Sequence, residues 1–281
     1  ALDIIARTVG QSMAASMGQA VVVENKPGAG TNIAVKSVIA AEPDGYTLMM
    51  AANALAANMS LYQPQPFDAE KDLLAVSLVG RVPVVIAAHP AVPYANVKQL
   101  IEAAKGKANS IAYGSPGNGS TPHMAIELFA RAAGIDLQHI PYKGGSPAIT
   151  DTIGGQVPLV AVNALEALPH VRSGKLKLIA VLSAARSTNY PDVPTIAESG
   201  FPGFEASVWY GIVAPAGTPK PIVQKLHDEV QKALTTKDVK ERMAAVGGEV
   251  APGSTDMFAQ LIRSEAQRYT RLVREANIKP D

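Results

Sequence analysis

The feature that most restricts this chain is a steady alternation, from end to end, of short β-branched runs with longer amphipathic runs. Residues 21–23, 46–51, 73–79, 84–88, 110–114, 138–142, 157–162, 176–182 and 208–214 read as strands. Residues 33–41, 97–105, 122–133, 147–153, 165–172, 219–234, 237–246 and 256–276 read as helices. Strands alternating with helices imply an α/β chain with parallel sheets. There are more strands than one compact sheet needs in 281 residues, so two α/β lobes are the natural division. The chain ends in helices rather than in a self-contained second lobe. It is therefore expected to cross to the second lobe and return, near 88–95 and near 205–211. The expected lobes are 1–92 with 210–281, and 93–209. A hinge of two crossing segments makes a cleft that can close on a ligand.

Composition removes several other readings. Apolar residues make up 47% of the chain and charged residues 17%, below the roughly 25% of ordinary soluble domains, so a large core is easily built. With 25 Lys and Arg against 24 Asp and Glu, there is no electrostatic footprint for nucleic acid. The absence of cysteine excludes disulfides, thiol nucleophiles and thiolate-ligated metals. No apolar stretch reaches the roughly 18 residues of a membrane span. The chain opens directly on a helical pattern, with Asp3 as its N-cap and Ile4, Ile5, Val9 and Met13 on one stripe. An alternating fold calls for a strand before that helix, so a first strand and a leader are expected ahead of Ala1.

Two loops have the design of anion cradles. The first, 113–123, follows a strand and opens a helix, with Gly114, Gly117 and Gly119 allowing close backbone approach, Thr121 as N-cap and Pro122 as the first helical residue. Amides at such a helix start point at an anion. The second, 139–151, repeats the plan with Gly144, Gly145, a capping Ser146 and Pro147. The first is not a P-loop, a dinucleotide fingerprint or a nucleophile elbow, because the required Gly-Lys-Ser/Thr, glycine order and flanking glycine are missing. Among the polar residues, His123 either donates to a carboxylate or caps its helix. Lys143 reads as solvated, with ligand neutralisation as the alternative. Asp151 either receives an ammonium or hydroxyl group or satisfies neighbouring backbone. Trp209, the lone tryptophan, packs in the core or walls the cleft. Ser120, His123 and Asp151 lack the nucleophile–base–orienter pattern of a hydrolase, so no catalytic residue, cofactor or metal is expected.

At these loops the chain resembles the Bug family, the TctC-like substrate-binding proteins of tripartite tricarboxylate transporters. The matching segments run along nearly the whole chain: Asp3-Ile-Ile-Ala-Arg7, Val21 through Gly30 with Asn32-Ile33, Pro43-Asp-Gly-Tyr-Thr-Leu48, Tyr113-Gly-Ser-Pro-Gly with Gly119-Ser120 and His123, Pro141-Tyr-Lys-Gly-Gly145, Asp192-Val-Pro-Thr with Glu198-Ser-Gly200, and Trp209-Tyr-Gly with Ala214 through Pro219. The resemblance implies a two-lobed type II periplasmic binding fold, a periplasmic location and a monomer. It implies capture of a dicarboxylate, citrate, an acidic amino acid or an aromatic acid for delivery to membrane transporter subunits. In such proteins a carboxylate is held by backbone groups and bridging waters from two loops. One corresponds here to Ser115, Pro116, Gly117, Asn118, Gly119 and Ser120. The other precedes the first helix and is marked here only by Asp3 and Ala1. The expected ligand-binding set is Asp3, Ser115 through Thr121, His123, Tyr142, Lys143, Gly144, Asp151, Asn163 and Trp209. Asn163 departs from the family habit of an acidic or aromatic-flanked segment after its strand.

Overall fold

The computed structural model describes residues 2–187, 189–245 and 247–280. The expectations that fall on Ala1, Val246 and Asp281 lie outside the described residues. In chain order the elements are α1 (Leu2–Met17), a 3-10 turn (Ala29–Thr31), α2 (Asn32–Ile39), β1 (Met49–Ala52), α3 (Ala54–Leu61), α4 (Ala69–Asp72), β2 (Leu73–Ala88), α5 (Val97–Ala104), β3 (Ala112–Ser115), α6 (Thr121–Ala133), β4 (Gln138–Pro141), α7 (Gly145–Ile153), β5 (Leu159–Asn163), α8 (Ala164–Arg172), β6 (Lys177–Val181), β7 (Ser207–Pro215), α9 (Lys220–Thr235), α10 (Lys237–Ala245), β8 (Glu249–Val250) and α11 (Thr255–Ala276).

The chain forms two compact units: Ala1–Arg81 with Trp209–Asn277, and Val82–Val208 with Ile278–Asp281. It passes from the first to the second inside β2, and back inside β7. Residues 82–92, assigned by the sequence pattern to the first lobe, thus belong to the second unit. The reason is that β2 is one strand of 16 residues, where the pattern shows two. Gly80 and Pro83 look like strand breakers. A Cβ at Gly80 would lie 2.6 Å from the Glu249 carbonyl oxygen, so this glycine serves the close approach of β8. Pro83 falls between the β8 ladder, at Gly80 and Arg81, and the β5 ladder, which begins at Val84, so neither asks it for an N–H.

In the first unit β1 runs antiparallel to β7, and β8 antiparallel to the opening half of β2. Helix α1 packs on α9 and α10, and α11 on α3. Ile5, Val9 and Met13 are buried, whereas Ile4 is 47% exposed and leaves the expected stripe. Phe258 of α11 is fully buried and meets the Trp209 ring edge-on at 5.5 Å. A Cβ at Gly211 would collide with the Phe258 ring, which explains a glycine in a wholly buried strand. Residues 21–23 are not a strand: Val22 is 86% exposed and no ladder pairs with this segment among the described residues. Residues 46–48 also stay outside β1, because Asp44 Oδ1 accepts from the Tyr46 N–H at 2.9 Å and holds a turn.

In the second unit the closing half of β2 is antiparallel to both β5 and β6, while β5 is parallel to β3 and β3 to β4. β5 and β6 therefore point the same way. In the second unit the parallel expectation fails at β2, the strand that enters from the first unit, and in the first unit it fails at β1 with β7 and at β2 with β8. Val85, Val160, Val162, Ala148, Ile149 and Val181 share one buried cluster. Each such valine or isoleucine contributes about 1.5–3 kcal/mol of burial. Phe129 of α6 receives Phe201 and Phe204 edge-on at 5.9 and 6.5 Å. Parallel β5, β3 and β4 place the starts of α8, α6 and α7 at one end of the sheet, the end where α/β sheets hold their ligands.

Candidate functional site

Both glycine loops of the second unit lie at that end, and backbone hydrogen bonds join them. Tyr142 N–H donates to the Ser115 carbonyl at 3.0 Å, and Gly144 N–H to the Pro116 carbonyl at 3.1 Å. These two bonds continue the β3–β4 ladder past its last register pair, Ser115 with Pro141. Gly114 makes the approach possible: a Cβ there would meet the Tyr142 ring at 3.0 Å and Ala148 at 3.3 Å. Gly117 and Gly144 adopt φ of 132° and 109°, a region that side chains disfavour.

The helix starts differ from expectation, by one residue in α6 and by two in α7. In α6 the N-cap is Ser120, whose Oγ accepts from the His123 N–H at 3.4 Å, and Thr121 is already helical. In α7 the N-cap is Gly144, and Ser146 lies inside the first turn, where its carbonyl accepts from Thr150 Oγ1 at 3.0 Å. Glycine takes the cap because the backbone there needs positive φ, which serine resists.

The first loop is folded around its own side chains. Ser115, fully buried, donates from Oγ to the Gly117 carbonyl at 3.2 Å and accepts from the Gly117 N–H at 3.1 Å. The Gly119 N–H donates to His123 Nδ1 at 3.0 Å. A neutral His123 must then carry its proton on Nε2, which faces Glu127 Oε1 at 4.0 Å. Burial, and then the neighbouring His139, push His123 down to about 3, so the imidazole is neutral. His123 stacks on His139 with centroids 3.8 Å apart and planes within 8°. His139 Nε2 lies 2.7 Å from Ser115 Oγ, and Tyr113 donates to Glu127 Oε1 at 2.8 Å. His123 is therefore a buried brace for the loop, neither a surface cap nor a pendant donor. The sequence reading gave no role to His139 or Tyr113, and weighed Glu127 only as an i,i+4 partner of His123, too little for a metal site. Only Glu127 carried a local signal, one helical turn beyond His123; Tyr113 and His139 meet as register partners on β3 and β4, a pairing the sequence does not show.

The remaining expected residues divide. Asp151 Oδ2 accepts from the Tyr142 hydroxyl at 2.8 Å, so the two are paired across α7. Lys143 is exposed, as its solvated reading has it. Asn163, at the end of β5, donates from Nδ2 to Glu166 Oε1 at 3.0 Å, and a Cβ at Gly145 would collide with the Glu166 carboxylate. This brings Asn163 and the unforeseen Glu166 to the start of α7. Asn118 lies within the first loop, partly exposed. Asp3 and Trp209 belong to the first unit. Asp3 sits in the first turn of α1 rather than capping it, bonded to Arg7 at 3.0 Å and accepting from Asn25 Nδ2 at 2.8 Å. The Arg7 bond, then the Asn25 bond, lower its pKa. Trp209 is 2% exposed and packed on Phe258, so its core reading holds.

A hydrolase triad of Ser120, His123 and Asp151 does not assemble. Ser120 Oγ is engaged at the His123 amide, and Asp151 binds Tyr142. Among the described residues no group of His, Asp and Glu is arranged to hold a metal ion, and no helix is long and apolar enough to cross a membrane.

Comparison with known proteins agrees across the chain. Residues 5–278 match the family profile of the tripartite tricarboxylate transporter family receptor, TctC. Protein BugT of Bordetella pertussis is 37% identical over 279 residues, covering 99% of this chain and 86% of that protein. A Rhodopseudomonas palustris protein solved with adipate is 30% identical, with a TM-score of 0.84, over 99% of this chain and 94% of the other. MatC from the same species, solved with bound malate, is 31% identical with a TM-score of 0.81 over 97% and 94%. The fold of these relatives is that of two-lobed periplasmic binding proteins.

Proposed function

Because the chain belongs to the TctC family, and is a periplasmic solute-binding receptor rather than an enzyme, we propose that it captures a small carboxylate on the joined loops of its second unit and delivers it to membrane subunits of a tripartite transporter. The observation that carries this reading is the joining itself: two glycine loops, each opening a helix, are bonded through Ser115–Tyr142 and Pro116–Gly144. Positive-φ glycines at 117, 119 and 144 shape the loops. Their own amides are engaged at Ser115, His123 and Pro116, so the carboxylate would sit on the first-turn amides of α6 and α7, where a helix start favours an anion. The adipate and malate carried by two relatives support the ligand class. The neutral His123 braces the first loop without adding a fixed charge. Lys143 supplies long-range attraction at the exposed rim.

A thermal-shift panel of mono-, di- and tricarboxylates on the whole protein tests the proposal. One member should raise Tm in a concentration-dependent way, by linkage of binding to folding. No shift with any member, together with no heat of binding by calorimetry, overturns it.

A further inference from the structure

At the start of α8, Asn163 Nδ2 donates to Glu166 Oε1 at 3.0 Å, while Asn163 Oδ1 is shut off from water and has no hydrogen-bond partner. Turning the amide over would bring Oδ1 against the carboxylate, acceptor facing acceptor, so the orientation is set by the Glu166 bond. The Glu166 carboxylate presses on Gly145, leaving no room for a Cβ there. Burial raises its pKa, and the Asn163 bond is the main influence lowering it. No ion pair joins Glu166 to a cationic side chain among the described residues. One carboxylate and one amide oxygen thus stand together at the second glycine loop, and the one donor there, Asn163 Nδ2, serves only the carboxylate. Unsatisfied acceptors of this kind in a native protein are unusual enough to need a partner.

We infer that Asn163 and Glu166 form an acceptor pair that selects carboxylates bearing a hydrogen-bond donor at their far end, an ammonium or hydroxyl group, over those ending in a methyl or a second carboxylate. The inference rests on the proposed carboxylate capture and names the other end of the same ligand. A second ligand carboxylate would face Glu166 acceptor to acceptor unless one of the two took up a proton, and that uptake costs a diacid affinity at neutral pH. An ammonium would complete a charge-assisted bond to Glu166 and satisfy Asn163 Oδ1. A hydroxyl would do the second and part of the first.

The test is calorimetric titration of the whole protein with matched sets at four- and six-carbon lengths: the plain acid, its ω-hydroxy and ω-amino derivatives, and the diacid. Within the length that fits, the amino or hydroxy acid should bind at least about tenfold more tightly than the plain acid and the diacid, a difference of about 1.4 kcal/mol. Glu166→Gln should bring the ω-amino preference within about threefold while the hydroxy acid still binds. The diacid binding most tightly to the unaltered protein overturns the inference and leaves carboxylate capture standing. So does an unchanged amino preference in E166Q. Binding by none of the acids removes both readings. Circular dichroism checks that E166Q folds, and if it does not, the ranking on the unaltered protein decides.

Discussion

His123 shows how one buried side chain ties site geometry to acid stability. Its pKa falls to about 3 from an ordinary 6.5, through burial first and the His139 stack second. Between those values the unfolded chain holds a proton that the folded one refuses. Stability is therefore complete above 6.5 and is lost as pH falls below it. At pH 5 this residue accounts for a loss of about 2 kcal/mol, since each pH unit below 6.5 costs about 1.4 kcal/mol. Glu127 works the other way: burial, opposed by the Tyr113 bond, raises its pKa, so it takes up a proton more readily folded than unfolded and offsets part of the loss. His123→Gln retains an acceptor for the Gly119 amide and removes the titration. Urea midpoints at pH 7.5 and 5.0 should show a smaller acid loss in the variant than in the unaltered protein. An equal loss in both would show that His123 does not carry it. Little of this was visible in the sequence, where His123 reads as a residue of a helix's first turn. Its stack on His139 depends on strand register, which spacing along the chain does not reveal.

Among the elements, those with local punctuation were legible and those held by packing were not. Helix α5 starts where Asn96 Oδ1 accepts from the Gln99 N–H and Gln99 Oε1 from the Ala95 N–H, and α11 runs from the Ser254 cap to a left-handed Asn277; both were readable to within a residue or two. Helix α3 was not, because Leu55 to Asn58 and Leu61 are all buried and an all-round apolar helix has no stripe to read. The loop joins were half legible. Glycines and prolines mark both turns, but which residue caps depends on φ, and the partners across the join are 26 or more residues away. The element most dependent on one side chain is also a packed one. Asn53, 2% exposed, leads into α3. Its Nδ2 donates to Glu265 Oε2 and Tyr269 Oη of α11, at 3.2 and 3.0 Å, and its Oδ1 accepts from the Trp209 N–H of β7 at 3.0 Å. Asn53→Ala strands three buried polar groups together and should cost about 3 kcal/mol, read as a lower urea midpoint at unchanged slope. A cost below about 0.5 kcal/mol would mean that other partners replace it.

At the scale of the whole molecule, the two units differ in how the chain supplies them. The second is drawn mainly from one stretch, 82–208, whose strands find their partners within it: β2 with β5 and β6, and β3 with β4 and β5. The first needs both chain segments. Strand β1 has its partner in β7, α1 packs on α9 and α10, and α3 on α11, all contacts that span more than a hundred residues. Closing such long loops is slow, and the early segment stays incomplete until the late one is made. Removing everything after residue 208 should therefore separate the units. In hydrogen exchange on the 1–208 chain, β3, β4, β5 and α6 should remain protected, while α1 and α3 exchange as an unfolded chain does. The joined glycine loops, which depend only on β3, β4 and the helices that follow them, should keep their protected Tyr142 and Gly144 amides. Equal loss of protection across 82–208 would mean that the second unit folds only against the first. The candidate site could then not be regarded as a property of one unit alone.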